Sequence, residues 1–254
     1  MRYYSKQMTM RLRILLTLLV SVLSVSALWA QTPDNDDVYN KIADSASPYY
    51  YPNLKMRYDQ WVEPMTATEL HYLYYGYAYM PEYKPLDNNP YLTRVMEIMA
   101  RIAIEEPAVS DLDELVMTAM QSYERDPFSP QILNILAYAY GALGDKVREK
   151  AFYERLNGVL EVIAASGDGL KEKSPMHIIM FSHALDYIAS KGWNYSNARV
   201  ISRTVEYVPF EVARNKVKGY YFDYSRIYWN KPENYTFKRE RTWQFNNLKP
   251  REYK

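Results

Sequence analysis

Thr66-Ala67-Thr68-Glu69-Leu70-His71-Tyr72-Leu73-Tyr74-Tyr75-Gly76-Tyr77-Ala78-Tyr79-Met80-Pro81 is the stretch that decides how this chain folds. Thr66 and Glu69 stand at capping-box spacing, with Pro64 just upstream, so a helix starts here. Leu70, Leu73, Tyr74 and Tyr77 recur at helical spacing and form a core face. His71, Tyr72, Tyr75 and Tyr79 cluster on the opposite side. The helix is therefore aromatic all round and ends near Met80-Pro81. Six of the chain's 27 tyrosines lie between His71 and Tyr83. Tyrosine joins a core-filling ring to a hydroxyl that needs a partner or water. Such a helix is either a middle layer covered on both sides or one that offers Tyr72, Tyr75 and Tyr79 to a partner.

Downstream, the punctuation is that of short connected helices. Asn89-Pro90 opens a second helix with Leu92, Val95, Met96, Met99, Ile102 and Ala103 on one stripe. Ser110 opens a third with Leu112, Leu115, Val116, Ala119 and Tyr123, which stops at Asp126-Pro127. Ser129-Pro130 opens a fourth with Ile132, Ile135, Leu136, Ala139 and Leu143. After Gly144-Asp145 a fifth carries Val147, Ala151, Phe152, Leu156, Leu160 and Ile163, and ends at Gly167-Asp168-Gly169. The pair over residues 126–162 resembles a tetratricopeptide-type hairpin through Leu136, Tyr140, Gly144-Asp145 and Tyr153. Glu149 stands where that pattern expects alanine, and no second copy follows at that period.

The period then changes. Met176 to Phe181 reads as a short strand, and Ser182 to Lys191 as a helix closed by Gly192, with Leu185 and Ile188 inward. Arg199 to Val208 alternates until Pro209 breaks it, and Val217 to Tyr224 is a third strand. The expected class is α+β, with helical hairpins first and a small, mostly antiparallel sheet with one helix after them. The expected organisation is a signal peptide over 1–30, a polar linker over 31–48, a helical region over 49–169, a small α/β region over 170–229 and a basic, aromatic tail over 230–254. Tyr228, Trp229, Tyr235, Trp243 and Phe245 mix with Lys and Arg around that tail. They suit either its own domain or a partner or acidic membrane surface.

The first thirty residues read as an export signal. Arg2, Lys6, Arg11 and Arg13 precede an apolar run from Ile14 to Val25, and Ala30 offers a small residue at the cut. The run is short of the roughly 20 residues that span a bilayer. The expected localisation is periplasmic or secreted, with no integral membrane segment after cleavage. The leader holds four of the 31 Lys and Arg and none of the 30 Asp and Glu. That leaves 27 basic against 30 acidic groups, a net −3, which argues against a nucleic-acid partner. The chain has no cysteine, which excludes disulfides, thiolate metal sites and a cysteine nucleophile.

Three stretches together carry a family resemblance: Glu69-Leu70-His71-Tyr72-Leu73-Tyr74-Tyr75-Gly76-Tyr77, the 126–156 hairpin, and Gly219-Tyr220-Tyr221-Phe222-Asp223-Tyr224. In that order the chain resembles a family of exported bacterial proteins, domain of unknown function forty-nine nineteen, over residues 49–229. The resemblance implies a secreted or periplasmic setting and no assigned activity.

Motifs for chemistry are sparse. There is no nucleophile elbow, no phosphate-binding loop, no Ser-x-x-Lys set and no His-Glu-x-x-His. His177 and His183 are six positions apart, not the i, i+4 spacing of helical metal ligands. Asp186, three residues after His183, is placed to orient its imidazole, but that is half a site. Glu105-Glu106 and Asp111/Asp113 read as helix-end carboxylates. No catalytic, metal or cofactor residue is assigned. The expected function is a non-catalytic interaction or structural module of the cell envelope. Its expected surface is Tyr72, Tyr75 and Tyr79, and its expected partner another envelope protein or a glycan. The alternatives are a glycan-binding protein using exposed aromatics and a hydrolase with an unrecognised site.

Overall fold

The computed structural model describes residues 32–103 and 107–229. The expected signal peptide, the tail from residue 230 and the pair Glu105-Glu106 lie outside the described residues. Among the described residues there are eight α-helices followed and interrupted by a four-stranded sheet, an α+β chain with its helices mostly first. None of these helices is long and apolar enough to cross a membrane.

Part of the polar linker is not a linker. Asp34 caps helix α1 (Asn35–Ala43) by accepting from the N–H groups of Asp36 and Asp37, and Val38 and Ile42 are buried on its inner face. The acidic residues that make this stretch look solvated sit in the first helical turn, where they face the positive end of the helix. Helix α2 (Tyr51–Gln60) follows and stops at Trp61, which adopts a left-handed backbone with φ of 45°. The last carbonyls of α2 are met by a buried cation. Arg155 donates to Tyr58 O at 2.9 and 3.1 Å and to Asp59 O at 3.0 Å. Its guanidinium lies against the rings of Tyr58, Trp61 and Phe152. A helix C-terminus leaves carbonyls unmatched and favours positive charge, so Arg155 is held here by carbonyls, with no carboxylate partner among the described residues.

Helix α3 (Ala67–Gly76) has the capping box that the spacing predicts, formed reciprocally between Thr66 and Glu69. It runs on as a 3₁₀ turn, Tyr77–Tyr79. Helices α1, α2 and α7 all pack against it. Two glycines permit the close approach: a Cβ at Gly158 of α7 would lie 2.5 Å from Leu70, and one at Gly76 would press Ile42 and Tyr51 at 3.1–3.2 Å.

Helices α4 (Pro90–Ile102), α5 (Val109–Arg125), α6 (Pro130–Ala142) and α7 (Lys146–Ala165) start where the sequence places them. Asn89, Ser129 and Asp145 each accept from a first-turn N–H. α6 and α7 form a packed hairpin across Gly144-Asp145. The apolar stripes are slightly rotated from expectation. Ile98 is buried in α4 while Met96 is exposed, and Val147 at the start of α7 is 81% exposed.

The sheet has strand order β1 (Met176–His177), β4 (Val217–Asp223), β3 (Val205–Arg214), β2 (Arg199–Val200). β1 runs parallel to β4 and the other pairs are antiparallel. The strand expected over Met176–Phe181 is only two residues long, because helix α8 (Phe181–Ser190) begins within it. Pro209 does not end β3. It pairs with Gly219, and the ladder shifts register between it and Arg214. Its missing N–H is tolerated at such an irregularity, and its carbonyl still accepts from Ser196 N at 2.8 Å. One contiguous buried cluster runs from Val38 in α1 through the helices to Val208, Phe210 and Phe222 in the sheet, so the two regions share a core.

Gly219 is where the sheet has least tolerance. A Cβ there would stand 2.4 Å from Val208 O and 2.6 Å from the Tyr207 ring. Gly219→Ala is expected to destabilise the fold by about 2 kcal/mol or more, read from the midpoint of urea unfolding; an unchanged midpoint would show that β3 and β4 can separate there without cost.

Candidate functional site

The two faces of α3 are both covered. Tyr75 is fully buried, Tyr72 is 5% exposed and Tyr79 is partly buried. The expected partner-binding surface at Tyr72, Tyr75 and Tyr79 is thus corrected to interior packing. The physical reason is the N-terminal segment: α1, read as linker, lies over that side. Tyr72 donates to Asp37 Oδ2 at 2.7 Å and accepts from Lys41 Nζ at 2.8 Å, both on α1. Tyr79 donates to Asn35 O at 2.8 Å and its ring meets those of Tyr39 and Trp229.

The core-side hydroxyls reach further along the chain. Tyr75 donates to His177 O at 3.1 Å and Tyr83 to Ile179 O at 2.6 Å. Tyr58 on α2 donates to Pro127 O at 3.0 Å. A buried phenol without such an acceptor costs about 1–3 kcal/mol. These tyrosines therefore fix where the backbone at residues 127 and 177–179 must run. Burial pushes the Tyr75 phenol up to about 12, so it remains a donor at any physiological pH.

His183 is at the centre of the arrangement. It is fully buried on α8, with Nδ1 2.8 Å from the Tyr74 hydroxyl and Nε2 3.0 Å from Asp126 Oδ2. Nε2 faces the Asp126 carboxyl and Nδ1 the Tyr74 hydroxyl, so both ring nitrogens are engaged. The expected orienting residue, Asp186, does not fill this role; Asp126, 57 residues before His183, does. Its only mark in the sequence is the Asp-Pro that ends α5. Asp186 lies nearby with a shielded Oδ2 that has no hydrogen-bond partner among the described residues. Burial pushes its carboxyl up to about 6, against the pull of His183 and the Gln131 N–H.

The other histidines are also interior. Burial, with Arg226 beside it, holds the His71 imidazole down at about 4. His177 Nδ1 stands 3.6 Å from Asp223 Oδ1. Burial alone would raise the Asp223 carboxyl, but His177 and the Ser225 hydroxyl and N–H outweigh it and hold it at about 2. Of the expected helix-end carboxylates, Asp111 pairs with Arg101 at 2.9 Å, and Asp113 is exposed. Among the described residues no three His, Asp or Glu side chains are grouped to hold a metal.

Asp126 also faces outward. It lines a cleft of about 1120 Å³ framed by residues 81–92, the end of α5, and the first turns of α6 and α8. Glu82, Asp87, Glu124 and Asp126 contribute acceptors and Lys84 and Arg125 donors, interleaved with Leu86, Ile132 and Phe181. The cleft wall is thus pinned from behind by the Asp126–His183–Tyr74 chain.

A family model described as domain of unknown function DUF4919 matches residues 36–232. The chain belongs to that family. No curated protein and no solved structure matches it. The DUF4919 match starts inside α1, in line with α1 being part of the folded unit.

Two outcomes follow from this network. Tyr74→Phe strands His183 Nδ1 in the core and is expected to cost about 1–3 kcal/mol, whereas Tyr72→Phe, whose partners are half-exposed, costs less; equal losses in chemical denaturation would contradict the placement. Asp186 is a carboxyl raised in the fold, so its ionisation opposes folding as pH rises from about 4 through 6. Asp186→Asn is expected to gain up to about 3 kcal/mol relative to the parent between pH 4 and pH 7.5. A difference between the two proteins that does not vary with pH would show that Asp186 ionises freely.

Proposed function

We propose that this DUF4919 chain is an exported, non-catalytic recognition module of the cell envelope, which holds a polar segment of a partner polypeptide in the cleft walled by Asp126. The observation that carries the reading is the cleft itself. Its volume is at or above the roughly 300–1,000 Å³ of small-molecule pockets. Its walls carry both charged and apolar side chains, which suits a polypeptide segment that presents both. Met180, mostly buried, adds an apolar contact to the lining. A catalytic role is disfavoured because both nitrogens of the one histidine behind the cleft are engaged and the ring is closed to solvent. The residues 1–30 with their basic start, apolar run and Ala30 support export, with a mature chain that begins at Gln31.

The test replaces Tyr91, on the cleft rim, by a photoreactive aromatic in the full-length chain expressed in a Gram-negative host. Val147, exposed on α7 and away from the cleft, is the control. The expected outcome is a discrete crosslinked adduct from position 91 and none from 147, on a chain whose N-terminus is Gln31. Equal labelling at both positions, or a chain retained in the cytoplasm with Met1 intact, would remove the proposal.

A further inference from the structure

A second surface has a different chemistry. After α8, Gly192 turns with φ of 68° and a Cβ built there would meet nothing within 4 Å. The chain then presents Trp193, Asn194 and Tyr195 beside Glu211 of β3, around a shallow depression of about 420 Å³. This segment is fastened to the sheet by Glu211 N to Asn194 O at 3.1 Å, Ser196 N to Pro209 O at 2.8 Å and the Tyr195–Phe210 bridge. The Trp193 ring is half-buried against Phe210 and Tyr220, with centroids 5.1 and 6.1 Å away, so its orientation is set by the core. Tyr195 is 37% exposed.

We propose that this ledge is a carbohydrate-binding subsite for a neutral oligosaccharide. A pyranose presents a flat C–H face and an edge of hydroxyls. The C–H face gains from contact with an aromatic ring, and the hydroxyls need acceptors and donors at the rim. Trp193 and Tyr195 supply the rings, and Glu211 and Asn194 the rim groups. The depression is open and shallow, the shape of a ledge for a chain of sugars and not of an enclosed box. Among the described residues its one charged lining group is a carboxylate, which gives no grip on an anion. The segment is already held by the sheet, so binding spends little on ordering it. The site is separate from the Asp126 cleft: the two share no lining residue.

The test titrates the purified chain from Gln31 with hexasaccharides of β-1,4-glucan, α-1,4-glucan, β-1,4-xylan, β-1,4-mannan and β-1,4-N-acetylglucosamine. Binding is read by calorimetry and tryptophan emission. At least one sugar is expected to bind, with affinity lowered about tenfold by Tyr195→Ala and Trp193→Phe and several-fold by Glu211→Gln. Trp193→Phe keeps an aromatic against Phe210, and unchanged thermal unfolding of the Tyr195 and Glu211 variants keeps loss of fold out of the result. Tyr91→Ala, at the other cleft, is expected to leave the affinity unchanged. Absence of heat with all five sugars overturns the proposal. So does binding that survives Tyr195→Ala, or that is lost with Tyr91→Ala instead.

Discussion

A phenol hydroxyl in a protein interior has to find an acceptor, and this fold is organised around that requirement. Tyr58, Tyr74, Tyr75 and Tyr83 supply ring area to one core, and each hydroxyl then ends on a carbonyl or imidazole of a distant segment. The rings contribute non-directional burial, while the hydroxyls impose direction. Together they set the path of residues 127 and 177–183, and so the back wall of the Asp126 cleft. Tyr51 is an exception, with a buried hydroxyl that has no partner among the described residues.

The cleft and the ledge are products of the same scaffold but of different parts of it. The cleft lies where three helices begin and one ends, and it is stiffened from behind by the Asp126–His183–Tyr74 chain. The ledge lies where the segment after α8 returns along β3, and it is stiffened by backbone pairing. In both, the groups facing solvent are held by groups that do not. This is the arrangement a preformed binding surface needs.

Local signals in the sequence were a good guide to the helices. The Thr66/Glu69 box, Asn89-Pro90, Ser129-Pro130 and Asp145 are all observed caps, because capping depends on neighbours within four residues. What depended on distant neighbours was not legible. The acidic content of 34–37 hid α1, whose two inward apolar residues give a weak period. Pro209 reads as a break because sequence does not show that the ladder shifts there. The tyrosine face of α3 could be seen to need a cover, but the cover is α1 and the carbonyls near residues 177–179, and nothing in the spacing names them. Asp126 is the clearest case. Its link to His183 spans 57 residues, and His183 has a closer candidate in Asp186 that the fold leaves without a partner on Oδ2 among the described residues.

The hydroxyl links of α3, and of Tyr83 just after it, have a consequence for the order in which the chain can fold. Tyr74 waits for a residue 109 positions later, Tyr75 for one 102 later and Tyr83 for one 96 later. As the polypeptide emerges from the ribosome, the aromatic helix is made well before any of these partners exists. At typical synthesis speeds that interval is on the order of 5–20 s. Through it the helix can pack on α1, α2 and, late in the interval, α7, while the hydroxyls of Tyr74 and Tyr75 still have no acceptor and its remaining face stays adhesive. Completion of the fold is therefore tied to the arrival of residues 177–183, and a nascent chain stopped short of them would display the most aromatic part of the molecule to whatever is near.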